Sequence, residues 1–238
     1  MKLELNRITG AVVATVVCLS CVSSANAALV VPFTEDFAAS ASDWRQADQV
    51  TDAIWTATGG PDGSSFVSAP FNFFGQAVGD KSILRGQDEF GSAGSSGGAF
   101  VGDWLAGGVT QFSVFVRHNG PNPLEMFTRF ASPVNFPGAA SVESTLIPPN
   151  TWTQLLFNIA FGDPEMTLEG PPTPDFFNTV FGDIGHVQIG VRASAQDVAL
   201  DQEIMFDIDQ PTITPEPGAM ALMGLGLWVV ARRRRRRA

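Results

Sequence analysis

Apolar and polar positions alternate with a period of two along several stretches of this 238-residue chain. In "VTQFSVFVR" (109–117) the alternation puts Phe112, Val114 and Val116 on one face. In "TWTQLLFNI" (151–159) it collects Leu155, Phe157 and Ile159, and in "EIMFDID" (203–209) it collects Ile204, Phe206 and Ile208. A period of two is the signature of a strand with one face buried. The segments are separated at short intervals by "GGPDGSS", "GSAGSSGG", "NGPNP" and "EGPPTP", which supply turns. Many short strands between such breaks predict an all-β fold, a single antiparallel β-sandwich of jelly-roll type, rather than a parallel α/β sheet. A short helix or turn is expected over "DFFNTVFGDIG", just before the strand "HVQIGVR".

The two ends of the chain break this pattern. Lys2 and Arg7 precede the apolar run "ITGAVVATVVCLSCV", and "SSANA" follows with small residues at Ala25 and Ala27. This order predicts a signal peptide over 1–27, removed by signal peptidase between Ala27 and Ala28. Both cysteines, Cys18 and Cys21, fall inside it. The exported domain, 28–214, therefore has no disulfide available and depends on its core or on bound ions. At the other end, residues 218–231 carry no charge and are followed by Arg232, Arg233, Arg234, Arg235, Arg236 and Arg237. A helix of that length spans about 20 Å against a hydrocarbon core of about 30 Å, a short transmembrane helix that snorkelling arginines help to complete. With the N-terminus exported, the arginine block satisfies the positive-inside rule as a stop-transfer signal, so the precursor is expected to be anchored in the inner membrane.

Between the two signals, 28–214 holds six basic side chains against 22 acidic ones. So negative a domain excludes nucleic acid as its partner.

Pro215, Glu216 and Pro217, the apolar segment after them and the terminal arginine cluster together resemble a PEP-CTERM sorting signal over 215–238. The resemblance implies a Gram-negative bacterial substrate of an exosortase, a membrane-embedded protease that cuts near the triplet and passes the protein to the cell surface or an extracellular matrix. A second resemblance is carried by "FTEDFAASASDW", "IWTATGGPDGSSFVSAPFNFFG" and "MFDIDQPTI", which are similar to jelly-roll carbohydrate-binding-type domains, including laminin IV-like ones. Those domains often carry an Asp-Asn pair in the last strand, where this chain has Asp207-Ile208-Asp209.

The residues offer no catalytic constellation. His118 and His186 are the only histidines, neither has metal-ligand spacing, and neither has a nucleophile motif beside it. "GSAGSSGGAFVG" lacks the lysine of a phosphate loop and reads as a turn. Asp43, Asp48, Asp52, Asp88 and Glu89 could form a glycosidase pair only at a suitable separation, and on so acidic a surface they are expected to be solvated. Two other groups are candidates. Glu35 and Asp36 near the first strand, with Asp207 and Asp209 in the last, offer hard oxygen ligands for a structural calcium, or else blunt an edge strand. Trp44, Trp55, Trp104 and Trp152 are the exported domain's only polar-tipped aromatics, because tyrosine is absent. At least three of them are expected in the core, and one left exposed would stack on a sugar ring with Arg85 or Arg117 donating beside it. The reading these features favour is a non-catalytic surface or matrix protein associated with exopolysaccharide or biofilm. The alternatives are a polysaccharide-active enzyme on a concanavalin-like sandwich and a purely structural surface protein.

Overall fold

In the computed structural model, residues 29–79, 94–142 and 146–215 are described in full, and 81–87 by their backbone. Alternating segments become strands of two antiparallel sheets. The first sheet runs in the order β2 (Ile54–Thr56), β3 (Phe66–Phe71), β11 (Ile204–Pro215), β5 (Val109–His118) and β8 (Thr153–Asn158). β1 (Phe33–Thr34) joins it beside the second half of β11, Phe33 facing Ile213 and Thr34 facing Thr212. The second sheet runs β4 (Lys81–Gln87), β10 (His186–Arg192), β6 (Glu125–Ala131), β7 (Gly138–Val142) and β9 (Met166–Leu168). The chain crosses repeatedly between the sheets, and its first and last strands pair, as expected for a jelly-roll sandwich.

The faces fall where the alternation puts them. Phe112, Val114, Val116, Leu155, Phe157, Ile159, Ile204, Phe206 and Ile208 are all buried between the sheets. Opposite them lie Met126, Phe130, Val187, Ile189 and Val191. "HVQIGVR" coincides with β10. β6 lacks a legible alternation because Phe127, on its other face, is buried as completely as Phe130. The helix expected before β10 is α1 (Pro174–Phe181), where the Thr173 hydroxyl accepts from Phe176 N at 3.3 Å and Pro174 opens the first turn. Proline is favoured there because the first-turn amides have no helical partner to lose.

One pole of the sandwich is closed by aromatic rings. Trp104 lies with its ring centroid 5.2 Å from Phe130, 6.2 Å from Phe181 and 6.4 Å from Phe112. Its indole donates to Phe100 O at 2.8 Å, which lets the ring be buried with its one polar atom satisfied. Phenylalanine needs no such partner, so a core this rich in it carries little polar cost.

The described residues also begin and end at this pole. Leu29 and Val31 pack on Gly107, and β11 ends at Pro215 opposite Val109. No helix among the described residues is long and apolar enough to cross a membrane. Ala25, Ala27, Ala28, Glu216, Pro217, the segment 218–231 and Arg232 to Arg237 lie outside the described residues, as do Asp88, Glu89 and the side chain of Arg85.

Candidate functional site

The outer face of the first sheet gathers the polar residues that the buried face excludes. The register sets Asp207 between Ser68 of β3 and Arg117 of β5. Ser68 Oγ donates to Asp207 Oδ1 at 2.6 Å, and Arg117 Nε donates to Oδ2 at 2.8 Å. Arg117 also donates through Nη1 to Gly59 O at 3.3 Å, while Nη2 has no partner among the described residues. Its guanidinium lies 4.5 Å from the ring centroid of Trp152 and 5.0 Å from that of Phe66. Trp152, one residue ahead of β8, is half-buried, meets Phe66 edge-on at 5.5 Å, and donates from Nε1 to Gly59 O at 2.9 Å. Two aromatic rings, the backbone of Gly59 and one carboxylate thus fix the arginine in place. Gln154 and Leu156 continue the exposed face along β8.

Asp209, two residues along the same face of β11, is fully buried. The loop carrying Gly59 folds over it, so that Ser64 Oγ donates to Oδ2 at 2.5 Å and Gln210 N donates to Oδ1 at 2.7 Å. Gly60 passes so close that a side-chain carbon there would collide with Ser64 Oγ and Asp209 Oδ2. Burial raises the Asp209 carboxyl from its ordinary 3.8 to about 6, against the Ser64 and Gln210 hydrogen bonds and with added repulsion from Asp62 and Asp36. Desolvation of the charge outweighs two good donors.

The structure does not assemble the calcium set. Glu35 turns its Oε1 onto Phe37 N at 2.8 Å, exposed Asp36 accepts from Ala38 N at 3.0 Å, and Asp207 and Asp209 are engaged as above. Among the described residues no group of three or more His, Cys, Asp or Glu is placed to hold a metal ion. The acidic character of β11 is instead accommodated by internal donors, because the flanking strands and the Gly59 loop cover its outer face.

The tryptophans divide two and two. Trp44 and Trp104 are fully buried, so neither meets a glycan. Trp44 donates to Ser96 Oγ at 2.9 Å. Trp55 is 38% exposed on the edge strand β2 and donates to Phe37 O at 2.7 Å. Fewer of the four are buried than expected, because Trp55 and Trp152 stand at opposite edges of the first sheet, where no neighbouring strand covers them.

Both histidines are buried against backbone carbonyls. His118 Nε2 donates to Ile147 O at 2.9 Å, and burial pushes its pKa below the ordinary 6.5. His186 Nε2 lies 3.1 Å from Pro133 O. Asp43 and Asp52 flank Arg45, and Asp48 caps the turn at Val50 and Thr51, its carboxyl held below the ordinary range chiefly by the Thr51 hydroxyl.

The other pole carries a cavity of about 590 Å³, bounded by Val78, Leu146, Gln196, Glu125 and Arg192. Arg192 Nη1 donates to Glu125 at 3.0 Å, above the Phe127 ring. Nothing in the local sequence of β6 or β10 marked Glu125 or Arg192 for this pairing, which the strand register brings about.

Residues 214–236 match the PEP-CTERM protein-sorting motif, so the chain carries the signal of an exported protein sorted to the cell surface. No curated protein matches the chain. Among solved structures, the family 11 carbohydrate-binding module of the cellulosomal cellulase Lic26A-Cel5E of Clostridium thermocellum is similar at 11% identity and a TM-score of 0.46, over 78% of this chain and 95% of that one. An exo-beta-agarase is similar at 14% identity and a TM-score of 0.47, over 74% of this chain and 23% of that one. The agarase AgWH50C is similar at 10% identity and a TM-score of 0.48, over 79% of this chain and 26% of that one. The chain spans about a quarter of the length of these agarases, and the likeness is one of overall shape.

Proposed function

We propose that this protein is exported, anchored in the inner membrane by its C-terminal segment, and released to the surface by an exosortase, after which its sandwich binds neutral polysaccharide without catalysis. The observation that carries the sorting half is the motif at 214–236, which continues directly from the last strand of the sandwich. Signal peptidase acts first, at Ala27, and the arginine cluster holds the precursor until the second cut. Support for the binding half comes from the outer face of the first sheet, where half-buried Trp152 stands beside an immobilised Arg117. A flat ring beside a fixed donor suits the apolar face and the hydroxyl edge of a sugar. Association with a biofilm matrix follows if the polysaccharide is the cell's own.

Replacing Pro215, Glu216 and Pro217 with alanines is the test of sorting. The variant should be exported normally, because the signal peptide and the apolar segment are untouched, and should accumulate in the inner membrane. Equal release of variant and wild type, measured by fractionation and immunoblot, would rule out the exosortase route.

A further inference from the structure

The fold and the sorting motif overlap. The motif match begins at residue 214, while β11 continues to Pro215, with Thr214 facing Gln111 and Pro215 facing Val109. Immediately upstream the chain is held on both sides: Thr212 and Ile213 pair with Ser113 and Phe112 of β5 on one edge, and with Thr34 and Phe33 of β1 on the other. Ile213 is buried in the core, and Thr212 Oγ1 meets Thr34 Oγ1 at 3.0 Å. The last strand is therefore an interior strand through Ile213, and Thr214 and Pro215, the first residue of the Pro-Glu-Pro triplet, stay paired with β5 along one edge. The N-terminal segment that clamps it, Leu29 to Thr34, is itself pinned where Leu29 and Val31 pack on Gly107.

We infer that the sandwich sets the upstream limit of sorting cleavage: the bond cut lies C-terminal to Pro215, and the released protein keeps the whole of β11. The inference rests on the exosortase reading for the identity of the cut, but the lock itself rests only on the fold. A protease takes its substrate as an extended segment whose backbone groups are free to pair with the enzyme. Thr212 and Ile213 are paired with strands on both edges and Thr214 and Pro215 with β5 on one, so a cut there requires the end of β11 to leave β5 first and, at 212–213, to part from β1 as well. Cleavage of a folded protein follows the population of such an opened form. From Pro215 to Gly218, where the uncharged run begins, an extended chain covers only about 10 Å. The enzyme therefore works against the pole that carries both processed ends. In the step itself the C–N bond of the scissile peptide breaks, the acyl carbon passes to water as a carboxylate, and the new amine stays with the arginine-bearing tail. An amine or hydroxyl acceptor in place of water leaves the same carbonyl as the end point.

Two measurements on the wild-type chain test this. Intact mass and C-terminal peptide mapping of the surface-released protein should give a last encoded residue at 215 or later. A released product ending at 214 or earlier overturns the inference while leaving the sorting pathway standing, and a product retaining Arg232 to Arg237 overturns both. Separately, limited digestion of the detergent-solubilised full-length precursor with a protease of broad specificity should trim the C-terminus and stop at or beyond residue 215. A stable fragment ending between 205 and 214 would show that the strand is not locked, whatever the sorting enzyme does.

Discussion

Asp209 shows how one side chain can be legible in the sequence and still be misassigned. The alternation of "EIMFDID" correctly sets it opposite Phe206 and Ile208, which in a half-buried strand means water. The Gly59 loop closes over that position instead. A carboxyl raised to about 6 binds its proton more tightly in the folded than in the unfolded chain, so its protonation stabilises the fold below pH 4 and that contribution is lost as pH rises through 6. Asp209→Asn keeps an acceptor for Gln210 N and can donate to Ser64 Oγ. It is expected to be more stable than wild type at pH 8 by on the order of 1–3 kcal/mol, with the difference vanishing near pH 4. Melting curves across that range provide the check, and a parallel pH profile for the two proteins would contradict the assignment. On the same face, Arg117→Ala leaves Asp207, 7% exposed, without its cation and is expected to cost about 1–3 kcal/mol. Trp152→Ala should weaken binding of a neutral glycan about tenfold with a smaller change in melting temperature. If glycan affinity survives loss of Trp152, the outer face of the first sheet is not the binding surface.

At the scale of elements, strands whose apolar residues alternate were legible and the others were not. β5, β8 and β10 follow their quoted segments closely, whereas β6 buries a phenylalanine on each face and β1, β2 and β9 are too short to show a period. α1 covers the first part of the stretch over which a short helix or turn was expected. Its Thr173 cap can be tested directly: Thr173→Ala is expected to cost about 1 kcal/mol and Thr173→Ser little, since the hydroxyl is what Phe176 N uses. In a domain of this size that corresponds to a fall of about 2–4 °C in melting temperature. Indistinguishable melting of the Ala and Ser variants would mean that packing of Phe177 and Phe181, not the cap, holds the helix.

Over the whole molecule the charge dominates. Over residues 28–214 six basic residues stand against 22 acidic ones, and several of the basic ones are paired internally: Arg45 with Asp52, Arg117 with Asp207, Arg129 with Glu169 and Arg192 with Glu125. Little positive surface is left for a polyanion. Binding to a neutral polysaccharide is therefore expected to be insensitive to salt and to chelators, and binding to an acidic one to be weak at low salt. Titration of the surface-released protein against both kinds of polymer decides this, and tight cation-free binding to the acidic polymer would refute the electrostatic argument.

The sequence by itself determined what depends on local chemistry. The C-terminal sorting motif is a linear pattern, and the alternating strands carry their own period. Only the tertiary structure decided which side chains meet. Ser68, Asp207 and Arg117 are far apart along the chain, and strand register alone makes them neighbours. Trp44 and Trp104 differ from Trp55 and Trp152 not in local sequence but in where the fold puts them, the first two inside the core and the other two at the edges of the first sheet. The acidic residues suggested a metal site because charge is countable in a sequence. The donors that occupy them instead come from a loop and from neighbouring strands whose positions no local pattern encodes.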